Sequence, residues 1–292
     1  MRTYDAMNPA AVAVQLLLTA CITVFCMEPV LLSISLLCAM TFFFMQNGRG
    51  HKGFHLFALG IPLLFTLLNP LWNQHGTSVL FFINSRAITK EALFFGAVTG
   101  LRLAAVLYWF RIFSDLMTSD KLFYLLRFLS PKLALIFSMA VRNLSLFRQQ
   151  MHKIQTAQKG LGLYRDKHLI DDVRGGLRVF SILITWALEN GIVTASSMTA
   201  RGYGTGHRTS CTNFRWKRQD ILLLLSAVLL AGTVIALISA GYLERVFYPV
   251  AVPPARNFGW YGAVSAYALL AMLPLMHEGK EMLLWYRLRS NI

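Results

Sequence analysis

The sequence predicts an all-α, polytopic membrane protein: about six transmembrane helices, interrupted by a cytoplasmic pair of long helices. Three observations carry this. Of 292 residues, 56% are hydrophobic and only 14% charged, against about 25% charged in a typical soluble domain, so the chain has too few charges to coat a globule. The apolar residues gather in runs of bilayer length. The net charge of +15 is also unevenly spread, with sixteen of the 28 Lys and Arg residues, against six acids, between Asp115 and Arg218. Excess positive charge can serve nucleic acid. On so apolar a chain it fits the positive-inside distribution of cytoplasmic loops instead. A nucleic-acid binder would need this basic segment to be soluble and separable, whereas it lies between spans and carries apolar seams.

The elements follow in order. A helix needs about 20 apolar residues to cross a bilayer core, and the runs at 10–27, 30–46, 54–72, 92–113, 220–241 and 258–276 meet or approach this. The first could pass for a signal peptide. A second span begins after Glu28-Pro29 without a cleavage site, so it reads as a retained helix. Arg49 and Lys52 place the loop between spans two and three inside, and with it the N-terminus. Span three exits, the 73–91 loop is external, and span four returns at about Ser114. Span five leaves, the loop with Pro249, Pro253 and Pro254 is external, and span six brings Lys280, Arg287 and Arg289 back inside. The predicted division is 1–114 for the first spans, 115–218 for the cytoplasmic segment and 219–292 for the last two spans with a basic tail.

Within the cytoplasmic segment, Thr118-Ser119-Asp120 is a cap before Lys121–Leu129, and Pro131 opens another helix. Two long helices follow. The first shows an apolar seam through Leu144, Phe147, Met151, Ile154 and Leu161, with Ala157 or Gln158 filling the gap. The second shows one through Leu177, Phe180, Ile184, Ala187, Gly191, Thr194 and Met198. Each helix ends in a glycine-rich, basic tip: Lys159-Gly160-Leu161-Gly162 and Ala200-Arg201-Gly202-Tyr203-Gly204. Glycine at a helix end is ordinary C-cap chemistry. The placement of both tips in the basic segment suggests ends offered to a partner.

Several chemistries are not supported. No GxxxxGK[ST] phosphate loop is present, and Gly202-x-Gly204-x-Gly206 follows a helix where a dinucleotide turn would follow a strand. His51 and His55 have i,i+4 spacing without a third ligand, and Cys21, Cys26, Cys38 and Cys211 have no metal spacing. The acids are scattered, so no enzyme, bound cofactor or metal is expected. Arg102 lies inside span four, where a charge costs on the order of 3 kcal/mol on insertion scales. It must face a polar contact: a substrate, a backbone carbonyl or Glu91. Gly96-x-x-x-Gly100 on the same span permits close helix packing.

The Asn8-Pro9 opening, Leu101-Arg102, Thr118–Leu122 with Pro131, Ile154–Gly162, and above all Ser197–Gly204 with Arg208-Thr209 resemble one family over most of the chain. It is the transmembrane T component (EcfT, CbiQ-like) of energy-coupling factor (ECF) transporters, ABC-type importers of vitamins and of nickel or cobalt ions. The resemblance implies two cytoplasmic ATPase subunits that bind the ATP, a membrane-embedded substrate-binding S component, and a multi-pass location in the cytoplasmic membrane with both termini inside. It also implies an Ala-Arg-Gly motif at each of two coupling-helix tips. The second copy is Ala200, Arg201 and Gly202. In the first, Gly160-Leu161-Gly162, leucine stands where the arginine would be; Lys159 or Arg165 supplies charge there, or the contact is apolar. The other class considered is a stand-alone secondary transporter with its own substrate site. It would show broken spans with polar midplane groups, for which only Arg102 and Asn69-Pro70 qualify, and no inverted repeat is evident.

Overall fold

The computed structural model describes residues 4, 7–47, 52–73, 76–83, 86–162, 169–206, 214, 216–249, 252–254 and 256–290. In chain order the elements are α1 (Pro9–Phe25), α2 (Pro29–Asn47), α3 (Lys52–Trp72), β1 (Val79–Ile83), β2 (Arg86–Thr89), α4 (Lys90–Leu116), α5 (Ser119–Leu129), α6 (Pro131–Gly160), α7 (Leu169–Ala200), α8 (Arg218–Ser239) and α9 (Phe258–Ser290). Among the described residues the protein is therefore all-α apart from one small hairpin and an isolated bridge between Val246 and Val252. Among the described residues, six helices are long and apolar enough to cross a membrane, within α2, α3, α4, α7, α8 and α9; α1 is apolar but has 17 residues. The basic segment read as cytoplasmic thus contains one helix, α7, that reaches span length by composition. The chain forms two compact units, Met1–Leu122 with Phe214–Ile292, and Phe123–Asn213.

In the first unit α4 packs against α1, α2 and α3, while α9 packs against α2 and α8, and α1 against α8. Inside a membrane, packing relies on close approach and on satisfied polar groups, and both are present. Gly96 and Gly100 form the face of α4 that meets α3. A Cβ built on Gly100 would lie 2.5 Å from Pro62 Cα, and one on Gly96 would lie 2.7 Å from Phe65 O. Asn69 Nδ2 donates to Ala92 O at 2.7 Å beside this contact.

Deeper in the unit, four helices share one hydroxyl cluster. Trp109 Nε1 donates to Ser35 Oγ at 2.9 Å, Tyr267 Oη donates to Ser35 Oγ at 2.8 Å, and Thr23 Oγ1 lies 2.6 Å from Tyr267 Oη. All four side chains are buried. Each such bond contributes roughly 0.6 kcal/mol in a bilayer, so the cluster fixes the mutual register of α1, α2, α4 and α9 more than it stabilises them. One layer away, Gln15 accepts from the Tyr4 hydroxyl and donates to Leu270 O at 3.3 Å.

Two polar links join the ends of spans and test the predicted alternation of faces. Asn8 N donates to Asp220 Oδ1 at 3.2 Å, so α1 and α8 both start at one face. Glu28, after α1, pairs with Arg245, after α8, at 3.3 Å, so both helices end at the opposite face. Arg245 also lies over the Phe94 ring, 5.3 Å from its centroid. Burial pushes the Glu28 carboxyl above its ordinary range, and the Arg245 guanidinium pulls it back down.

Removing that arginine has a pH signature. In Arg245→Ala burial acts without its main counterweight, so the folded carboxyl titrates still higher than the unfolded one. The folded protein then binds a proton that the unfolded chain has already lost, and stability falls as pH rises through that window. Arg245→Ala is expected to cost about 3 kcal/mol above the raised pKa and less below it, as read by thermal unfolding in detergent across a pH series.

Two features differ from the sequence expectation. The 73–91 loop contains the antiparallel hairpin β1–β2, with Phe82 opposite Ala87. Thr89 Oγ1 then caps α4 by accepting from Ala92 N at 3.3 Å. The second difference concerns the seams of the other unit. On α6 the inward positions are Met139, Asn143, Phe147, Gln150, Ile154 and Gln158, so Leu144 and Met151 point outward. On α7 they are Gly175, Val179, Leu183, Trp186, Ala187, Asn190, Thr194 and Met198. The predicted α7 seam is kept in part: Ala187, Thr194 and Met198 face inward as expected, whereas Leu177, Phe180 and Ile184 are exposed, in line with Leu188 and Ile192. The reason is that α7 has two apolar faces, and the more apolar one is left outside the pair.

Candidate functional site

Phe147 meets Trp186 edge-on at 5.7 Å between centroids. Nearer the start of α6, Met139 and Asn143 share a cleft with Asn190, Thr194 and Met198. Rising numbers on α6 meet falling numbers on α7, so the two helices are antiparallel. Their C-terminal tips consequently lie at opposite ends of the pair, about the length of α7 apart, roughly 45 Å at 1.5 Å per residue.

The second tip is a Schellman C-cap. Tyr203 N donates to Met198 O at 3.0 Å, and Gly202 N donates to Thr199 O at 3.0 Å, the paired bonds that close such an end. This geometry requires a left-handed residue just past the cap, and Gly202 supplies it at φ +78°. Its neighbourhood is open, the nearest atom to an added Cβ being Thr205 Oγ1 at 3.3 Å, so conformation and not space selects glycine here. Ala200 is the last helical residue. Arg201 is the cap itself, exposed, where a cation complements the helix dipole. Gly204, at φ +95°, and the Thr205 N–H bond to Gly202 O keep the chain in a tight turn beyond it.

The first tip repeats the plan. Leu161 N donates to Ala157 O and Gly162 N to Lys159 O, both at 3.0 Å, with Gly162 at φ +67°. Leu161 therefore occupies the cap position that Arg201 fills at the other tip. Leu161 is 74% exposed, and Lys159 and Gly160 beside it are exposed too. Arg165, Arg208 and Thr209 lie outside the described residues.

The structure adds a feature that sequence reading missed. Beside Arg201, a cleft of about 380 Å³ opens between the helices, lined by Met139, Arg142, Asn143, Asn190 and Met198 among others. Its residues come from helices far apart in sequence, so no motif announces it.

The remaining candidates resolve simply. Arg102 Nη1 donates to Val24 O at 3.4 Å, one of the free carbonyls at the end of α1, and not to Glu91, whose Oε1 accepts from Ser78 Oγ at 2.6 Å. His55 Nδ1 lies 2.7 Å from Tyr108 Oη, and its ring stacks on Phe44 at 4.3 Å; His51 lies outside the described residues. Among the described residues no three His, Cys, Asp or Glu side chains are grouped to hold a metal ion.

The bundle and its helical pair define a multi-pass membrane protein. A protein-family model, CbiQ, described as cobalt transport protein, matches residues 4–211, so the chain belongs to the CbiQ family and is a membrane transport component. Comparison with curated proteins gives no match.

Proposed function

We propose that this chain is the coupling subunit of an ECF-type ABC importer, passing ATP-driven motion of two cytoplasmic ATPases to a membrane-embedded S component. The observation that carries this is the shared construction of two exposed tips, capped at Leu161 and Arg201, at opposite ends of one antiparallel pair. Two separated tips suit two separate ATPase subunits. The chain itself then needs no nucleotide site and no catalytic group, and the partners bind the ATP. Arg201 is suited to pair bidentately with a carboxylate in an ATPase groove. Leu161 makes the other contact by shape, with Lys159 beside it. The unpaired apolar stripe of α7, through Leu177, Ile184 and Leu188, offers the S component a surface. The bulk of Lys and Arg between Asp115 and Arg218 supports a cytoplasmic position for this unit and for both termini. The family description makes Co²⁺ the first cargo to test, with Ni²⁺ and vitamins next; the S component selects among them.

Purification of the tagged chain from its native membrane in mild detergent, followed by mass spectrometry, tests this. ATPase subunits and a small membrane protein are expected to co-purify. A chain that purifies alone and moves cargo in liposomes without ATP would be a secondary transporter instead. The two tips are also expected to be unequal in kind. Leu161→Asp should weaken ATPase retention, whereas Leu161→Met should not, because the first contact depends on an apolar side chain. Equal retention in Leu161→Asp would leave that tip without a role.

A further inference from the structure

Two arginines line the cleft between α6 and α7, Arg142 from one helix and Arg201 from the end of the other, and both are exposed. No Asp or Glu lines it, and among the described residues neither arginine has an ion-pair partner. Like charges lining one cleft raise a positive potential that an anion relieves. The rest of the lining limits which anion fits. Asn143 and Asn190 are half-buried amides able to bond a peptide backbone. Met139 and Met198 form deformable apolar walls, suited to an aliphatic stem and not to a bare phosphate.

We propose that this cleft receives an acidic side chain of the ATPase subunit that docks at the second tip, with Arg142 and Arg201 gripping its carboxylate from the two helices. This rests on the coupling role proposed above, and it changes what the site is. The tip alone contacts the ATPase in a role confined to Ala200-Arg201-Gly202. With Arg142 included, the contact spans both helices, so a pull on the carboxylate moves the pair and not one frayed end. Arg142 binds partner here in its own right, from a helix whose own tip lies at the far end.

The test uses the complete transporter, co-expressed with its ATPases and S component and purified through a tag on this chain. Arg142→Glu is expected to cut the retained ATPase roughly tenfold or more, the scale of a lost charge-assisted bond. Arg142→Lys should retain most of it. Arg148→Glu, an exposed charge on the same helix outside the cleft lining, should behave as wild type. If Arg142→Glu fails to accumulate, Arg142→Gln against Arg142→Lys carries the same comparison. Retention in Arg142→Glu equal to that in Arg148→Glu, while Arg201→Glu loses the ATPase, overturns the cleft assignment and leaves the coupling role standing. Full retention in Arg201→Glu as well removes the second tip from the coupling role, and the cleft assignment with it. The experiment is repeated in nanodiscs of purely zwitterionic lipid. Loss that persists there supports a protein carboxylate; loss that vanishes there assigns the cleft to a lipid headgroup and overturns the proposal.

Discussion

Arg201→Glu is expected to leave the protein inserted and folded while reducing ATPase retention and ATP-coupled uptake to background. The backbone of the tip is set by Gly202, at φ +78°, and by the bonds from Gly202 N and Tyr203 N. None of these involves the arginine side chain, which is exposed. A carboxylate at a helix C-terminus opposes the dipole by about 0.3–1 kcal/mol, too little to unfold a bundle held elsewhere. In the assembled complex the change is larger. A guanidinium–carboxylate pair becomes two facing carboxylates, and breaking a partly buried pair costs about 3–5 kcal/mol. That corresponds to a factor of roughly one hundred to a few thousand in binding. Gly202→Ala offers a companion with the charge intact: the left-handed cap costs alanine roughly 1–2 kcal/mol, so coupling should weaken through misplacement of Arg201. Unaltered retention in Arg201→Glu would remove the second tip from the mechanism.

Gly100→Val is expected to produce a large loss of stability in the membrane unit. The added Cβ would lie 2.5 Å from Pro62 Cα, a backbone atom in the middle of α3. No side chain can swing aside there, so α3 and α4 must separate along their contact. Overpacking costs about 1–3 kcal/mol where a core can adjust, and a rigid proline backbone puts Gly100→Val at or beyond the upper end. Gly96→Ala meets Phe65 O in the same way, 2.7 Å away. Gly60→Ala, also on α3, meets nothing within 4 Å and is expected to be neutral. Thermal unfolding of purified protein, with trypsin sensitivity as a second probe, separates the three. A neutral Gly100→Val would mean that α3 and α4 are not packed through these glycines.

These residues also show what the sequence could reveal. Gly96 and Gly100 were legible as a packing pair because spacing on one helix defines a face, although the sequence could not show that Pro62 occupies it. The carbonyl partner of Arg102 was among the expected contacts, because a cation within a span must find an acceptor and helix ends supply them. The tips were legible because glycines stop helices. Which face of α7 meets α6 was legible only toward its C-terminal end, at Ala187, Thr194 and Met198. Apolarity marks burial only when one environment surrounds a helix, and α7 has two apolar faces, of which the less apolar, with Gly175, Trp186 and Asn190, packs on α6. The hairpin was missed because Val79–Ile83 reads as a short apolar piece in a loop between spans, and its pairing partner carries little pattern. Glu28 with Arg245, and Arg142 with Arg201, depend on contacts between distant parts of the chain, which periodicity does not encode.

The claim that exposed tips receive the ATPases is tested most directly by photo-crosslinking from the tips within the assembled transporter in native membranes. A benzophenone side chain placed at Tyr203, two residues past the Arg201 cap, is expected to give an adduct with an ATPase subunit, and one placed at Leu161 an adduct with an ATPase subunit as well. Adducts with lipid alone from both positions would contradict the account.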